Sequence, residues 1–368
     1  MQITSNTTGM LAGVTGATDK DGRDHAIVVV KGTFTVHPDG QAALAEEQAA
    51  LVYADAFHGE PGLSSIKYEC DFAPAKPAAE VIVRGHAFAP RGRPVTELDV
   101  SVEVGSWSKE LRVTGDRRWD FGLLNLVPTP PDPFTQMPLI YERAFGGWDR
   151  TLANEAKHTV ERRNLVGSGF QTNSDLTKIA GKPLPNVEYR GDRMKMWSDK
   201  PRPAGFGILG RNWLPRATFA GTYDKAWLDN RAPFLPADFD ERYFQSTPTD
   251  QQLSQLIGGE TVRCTNLSAE GELEFELPRL EVPIVFRFRD REVKACPAPD
   301  TLLLEPHRRQ FQLTWRARVP VGRKFVALRE VLVGKPPPRP TRSAAPRRFA
   351  SLKELARWRK SLNKVSQA

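Results

Sequence analysis

Three carboxylates fall within four residues at Asp238-Phe239-Asp240-Glu241. A group of this kind can hold a divalent cation. Two of its members can also share general acid and base work on a glycosidic bond if they stand about 5–9 Å apart in a cleft. The bland alternative is a solvated turn in which the acids pair with Arg231 or Arg242 and Phe239 and Phe244 are the buried members. Upstream, Gly205-Phe206-Gly207-Ile208-Leu209-Gly210 matches GxGxxG. A dinucleotide site needs a strand before that motif and a helix after it, so that phosphate meets the helix N-terminus. Pro201 and Pro203 precede it and Pro215 follows it, so the expected element is a packed glycine turn.

Other chemistry-bearing residues are scattered. Asp19, Asp21 and Asp24 resemble the start of a calcium loop, but Val30 stands where the bidentate acid belongs, and a hairpin turn explains them better. The histidines at 25, 37, 58, 86, 158 and 307 show no HxxxH spacing, so no metal site is readable. His58 lies two residues from Glu60, a candidate acid–base pair whose default is a lone loop histidine. No GxSxG elbow and no GxxxxGK[ST] loop occurs. The three cysteines, Cys70, Cys264 and Cys296, make no CxxC pair, which argues against a disulfide framework and for a reducing compartment. The N-terminus lacks the basic-then-apolar pattern of a secretory signal, and no stretch is long and apolar enough to span a bilayer. Together these features predict a cytoplasmic protein.

The elements that must position these residues read as mainly β. The chain has 28 Gly and 30 Pro among 368 residues, about 16% against a typical ~12%, which describes a folded, loop-rich protein. Ala26–Val36 is a β-branched strand preceded by a turn at Asp19–Gly22. Val81–Phe88 reads as another. Leu98, Val100, Val102 and Val104 alternate with Asp99, Ser101 and Glu103, placing one face in a core. Further strands are predicted over Thr261–Leu267, Leu273–Leu277, Val282–Phe288, Glu292–Cys296, Gln310–Val319 and Phe325–Val333. A capping-box pattern at Thr249 and Gln252, with Leu253, Leu256 and Ile257 as apolar stripe and Gly258 as stop, predicts one helix. Between the strand blocks, residues 127–245 form a long irregular insertion. It opens on five prolines in Val127–Pro138 and reaches its densest mix of aromatics, glycines and charges over Pro201–Phe244. The expected fold is a β-sandwich-like scaffold over residues 1–333 carrying this insertion and a few short helices.

Charge is unevenly spread. From Lys335 to Ala368 there are ten Lys or Arg and one acid, Glu354, so this tail carries +9 of a net +8 and residues 1–334 sum to −1. Residues 334–350 form a Pro-rich basic linker, and 351–368 read as a basic amphipathic helix with Leu352, Leu355, Trp358 and Leu362 on one side. Such a tail is a solvated tether, a dock for an acidic partner protein, an anchor on an anionic membrane, or a nucleic-acid binder with strongly salt-dependent affinity.

Several phrases in order carry a family resemblance: YERAFGG at 141–147, NLVGSGF at 164–170, LPNVE at 184–188, PAGFGILGRNWLPR at 203–216, AGTYDKAWLDNRAPFLPADFDERYFQ at 220–245, DQQL at 250–253 and GELEFELP at 271–278. Together they resemble the bacterial family catalogued as domain of unknown function 2169, over about residues 1–333. Ile208 departs from it, since the family often has Pro there. The resemblance implies a non-enzymatic adaptor, or chaperone, of type VI secretion, which brings a toxic effector to the VgrG spike and its PAAR-repeat cap. It carries over no catalytic residue, cofactor or metal. Aromatic and arginine side chains on an ordered irregular surface suit such a role, since these types dominate interface hot spots. The candidates are Arg143, Trp148, Phe206, Trp213, Arg216, Tyr223, Trp227 and Arg231, with Trp358 in the tail; core packing within the insertion is the competing role for each. The rival reading is an enzyme acting on sugars through Asp238, Asp240 and Glu241.

Overall fold

The run Ala26-Ile27-Val28-Val29-Val30 has no polar break, which requires apolar cover on both faces of its strand. A computed structural model, describing residues 2–322 and 327–335, supplies that cover. The run lies in the 13-residue strand Asp24–Val36, inside a seven-stranded sheet. Across the sheet the order is Gln252–Leu253, Ala79–Val83, Pro299–Glu305, Gln310–Pro320, Asp24–Val36 and Leu11–Thr18, with Ala42–Leu44 also paired to Asp24–Val36. Ala79–Val83 and Pro299–Glu305 run parallel, and the other pairs are antiparallel.

A five-stranded antiparallel sheet runs Val187–Glu188, Trp107–Thr114, Glu97–Val104, Thr261–Thr265, Glu272–Glu276. A four-stranded sheet runs Ile3–Asn6, Leu328–Val333, Ile284–Phe288, Glu292–Ala295. All three give their apolar faces to one core. Phe275 of the five-stranded sheet stacks on Phe311 of the seven-stranded one, with ring centroids 4.9 Å apart, and Phe34 stacks on Phe311 at 5.0 Å. The alternation at Leu98–Val104 is realised as predicted: the four apolar side chains are buried and the residues between them are not. The fold is mainly β, with open sheets and few helices. The described residues fall in one compact unit, Met1–Lys335.

The structure corrects two local expectations. No helix forms over Thr249–Gly258. A single 3-10 turn, Thr249–Gln251, leads into the short edge strand Gln252–Leu253. Long-range bonds override the capping pattern: the buried Gln251 side-chain amide donates to the carbonyls of Val81 (2.7 Å) and Phe206 (3.0 Å), and Lys109 donates to its oxygen (2.8 Å). Leu256 is buried while Ile257 is exposed, so the two do not share a stripe. The predicted strand Val81–Phe88 breaks at Gly85, where φ is 148°; Ala79–Val83 stays in the large sheet and His86–Phe88 pairs with Gln136–Pro138. The Asp19–Gly22 turn does close a hairpin, whose first strand is Leu11–Thr18, with Gly22 at φ 75°. Phe145, Phe170, Ile179, Leu184 and Met194 of the insertion join Trp119 and Leu126 of the hairpin just before it in a second, smaller core. The linker beyond Lys335 and the tail helix with Trp358 lie outside the described residues.

Cys264, on the strand Thr261–Thr265, is buried in the main core, and burial pushes its thiol up to about 12. Cys296 is exposed. Because the thiolate is the reactive species, a thiol reagent at neutral pH is expected to label Cys296 within minutes and Cys264 only on unfolding. Mass spectrometry of labelled peptides checks this, and native labelling of Cys264 would show that this core opens.

Candidate functional site

The central stretch begins as a glycine turn wrapped around two aromatic rings. A Cβ on Gly205 would lie 2.9 Å from the Tyr141 ring, and one on Gly210 would lie 2.6 Å from the Trp213 indole. Tyr141 and Trp213 meet edge to face at 5.4 Å. The GxGxxG letters therefore serve close packing and not a phosphate. The Phe206 carbonyl accepts from the Val83 amide at 3.0 Å, which stitches the turn to the large sheet, and Ile208 bridges to Ile66 in the separate two-stranded pair of Ala56–Phe57 and Ile66–Tyr68.

Charge then fixes the stretch. Arg216 is buried; its guanidinium donates to the carbonyls of Tyr243 (2.9 Å) and Leu209 (2.8 Å) and to Glu69. Glu69 also faces Arg211 at 3.3 Å and Lys76 at 3.4 Å. Arg211 forks onto Asp55 with bonds of 2.8 and 3.0 Å. Lys76 pairs with the fully buried Glu80, which accepts from the Ser246 amide (2.8 Å), the Ser246 hydroxyl (2.7 Å) and the Thr247 amide (3.2 Å). Burial works to raise Glu69, but Lys76, Arg216 and Arg211 outweigh it and hold the carboxyl at about 2.

Beyond this anchor the chain forms a small lobe. Asp224 caps the helix Lys225–Asn230 by accepting from the Trp227 amide at 2.8 Å. Tyr223 packs edge to face on Trp227 at 4.7 Å, and the Trp227 indole N–H donates to the Phe234 carbonyl at 2.9 Å. Arg231 donates to the Leu235 carbonyl (3.1 Å) and reaches across to the Lys20 carbonyl in the Asp19–Gly22 turn. Tyr223, Leu228 and Phe234 remain 54%, 63% and 48% exposed. Further along the stretch a cavity of about 380 Å³ opens, with Pro74, Leu235, Phe239 and Phe244 among its apolar lining and Lys20, Arg23, Glu241 and Arg318 among its charged lining. That volume falls in the range of ligand pockets, about 300–1,000 Å³.

The three clustered carboxylates are separately committed. Asp238 accepts from the Thr222 amide (3.0 Å) and hydroxyl (2.8 Å); Asp240 caps the turn Glu241–Phe244 and takes the Arg242 guanidinium at 2.6 and 2.9 Å; Glu241 takes Arg318 at 2.6 Å. Thr222 holds Asp238 below the usual carboxylate range, and Arg242 does the same for Asp240. At His58, burial lowers the imidazole, and the carboxylate opposing that shift belongs to Glu142.

Of the sequence candidates, Phe206, Trp213 and Arg216 are buried packing residues that build the surface from beneath. Tyr223, Trp227 and Arg231 come together in the lobe. Arg143 bridges Asp116 (2.5 Å) and Asn186 (3.1 Å) in the insertion. Trp148 is half exposed on a separate two-residue strand, with Arg150 over its ring at 5.2 Å. Sequence reading missed Leu228 and Phe234, because nothing periodic in the sequence marks which side chains of this irregular segment stay exposed. It also missed the hairpin tip Gly122–Asn125, where Leu123 and Leu124 project fully into solvent.

Replacing Arg216 with Ala leaves Glu69 buried with one cation fewer, and loss of one partner of a buried pair costs about 3–5 kcal/mol. Denaturant unfolding is expected to show a loss of that size for R216A. Because the Glu69 pKa is depressed in the fold, its contribution is complete above the unfolded value near 4.5 and is lost as pH falls toward about 2. E69Q is therefore expected to flatten the stability–pH curve over that window; an unchanged acid limb would place the acid sensitivity elsewhere.

No curated protein and no solved structure matches this chain. One sequence family does, described as an uncharacterized protein conserved in bacteria (DUF2169), over residues 21–316. That span takes in both large sheets' central strands, the whole insertion and the lobe, and on it the chain belongs to the bacterial family of domain of unknown function 2169.

Proposed function

We propose that this protein is a non-enzymatic adaptor that holds another polypeptide, and that its partners are a type VI secretion effector and the VgrG/PAAR spike onto which the effector is loaded in the cytoplasm. The observation that carries the reading is the lobe. An irregular segment, anchored through Arg216 and its ion partners, leaves Tyr223, Leu228 and Phe234 exposed, and its Leu235, Phe239 and Phe244 line an open pocket. A patch of exposed large apolar side chains is costly to leave in water unless something covers it. Preorganisation lowers the entropic cost of binding, so a pinned loop suits recognition better than a mobile one. The sequence phrases shared with the family run through this same lobe and supply the type VI context.

Tyr223 and Leu228 are more than half exposed, so Y223A/L228A is expected to melt within about 2 °C of the parent, as surface changes stay within about 0.5 kcal/mol. The same variant is expected to lose at least about tenfold in affinity for the effector or the spike, measured by calorimetry with the purified polypeptides from the same host, because hot-spot truncations exceed about 1.4 kcal/mol. Failure of the parent protein to bind either polypeptide, or undiminished binding by the variant, would defeat the reading.

A further inference from the structure

The seven-stranded sheet ends on Leu11–Thr18, and nothing among the described residues pairs with its outer edge. The strand is eight residues long, keeps register with Asp24–Lys31 without a bulge, and contains no charged residue and no proline. Every other described edge of the large sheets is blunted. Glu272–Glu276 carries three exposed glutamates, Glu292–Ala295 carries Glu292 and Lys294, Ile3–Asn6 has four residues, Ala42–Leu44 has three, and Val187–Glu188 and Gln252–Leu253 have two each. Long, flat, uncharged edges are templates for another strand, and proteins normally protect them with short length, charge, proline or bulges.

We infer that Leu11–Thr18 is a strand-addition site for an extended segment of a partner polypeptide. Main-chain hydrogen bonds supply affinity, and pockets for alternate side chains supply specificity. A pocket is in place: Ala17 and Thr18, at the end of the strand, line the same 380 Å³ cavity as Leu235, Phe239 and Phe244. An added strand running past Thr18 delivers a side chain there. The occupant is thus a β-branched, strand-forming segment with one large apolar residue at the end that reaches Thr18. A second copy of this chain fits less well. Two-fold pairing of the strand with itself brings Leu11 and Met10 to the Thr18 end, and Met10 is already buried in its own core. The site extends the adaptor reading by naming how a segment is held, and it stands or falls without the type VI assignment.

Random 12-residue peptides displayed on phage and selected on the immobilised full-length protein test it. The expected result is an enriched pattern of alternating β-branched residues with one terminal Leu or aromatic. Synthetic peptide of that pattern is expected to slow amide exchange over residues 11–18, and T15K, which puts a charge on the edge, is expected to weaken it at least tenfold. If T15K fails to fold, the exchange measurement on the parent protein decides alone. Three results would overturn the inference: no enriched pattern, peptides that bind without protecting 11–18, or a dimeric free protein whose 11–18 amides are already protected. Calorimetry with effector and spike tests the adaptor reading separately, so the two can fail independently.

Discussion

A chain of buried and half-buried ions decides how this molecule is built: Asp55, Arg211, Glu69 and Arg216 in one run, and Lys76 with Glu80 beside it. They lie between the outer face of the seven-stranded sheet and the irregular stretch that roofs it. A segment with so many glycines and prolines has no helix or strand ladder of its own to hold it. Ordering each of its residues costs about 1–2 kcal/mol of backbone entropy, and Arg216 offsets part of that cost by satisfying two carbonyls and a carboxylate at once. Buried pairs of this kind are weak sources of net stability but heavy penalties when broken. Their effect here is to fix one arrangement of the roof.

That arrangement separates two jobs that the sequence mixes. Phe206, Trp213 and Arg216 point inward and hold the stretch down, whereas Tyr223, Leu228 and Phe234, a few residues later, point outward. The carboxylates between them serve geometry: Asp238 ties the lobe's first turn to its last, Asp240 caps a turn, and Glu241 reaches Arg318 of the large sheet. The surface that results is shaped by interior chemistry, which is why the residues that hold it down are not the residues it exposes.

The edge strand and the lobe meet at the cavity beside the Asp19–Gly22 turn. Arg231 binds the Lys20 carbonyl there, so the turn that closes the Leu11–Thr18 hairpin and the lobe are held in one unit. A polypeptide paired along the edge and one resting on the lobe would share this corner.

The sequence by itself determined the strands whose side chains alternate or run β-branched, because period-2 burial is a local property: Leu98–Val104, Asp24–Val36 and Glu272–Glu276 were all legible. It also showed that GxGxxG lacked a nucleotide-binding frame, since proline positions are local too. The strand Pro299–Glu305 was not legible, because flanking prolines disguise a run that is stable only between Ala79–Val83 and Gln310–Pro320. Nor was the loss of the Thr249–Gly258 helix, since the bonds that defeat it come from Val81, Phe206 and Lys109, far away in sequence. Which aromatics are core and which are surface, and that Leu11–Thr18 has no strand partner on its outer edge among the described residues, depend on neighbours brought together from across the chain. Only the tertiary structure decided them, because burial and strand order are properties of contacts between distant residues and leave no periodic mark on either one.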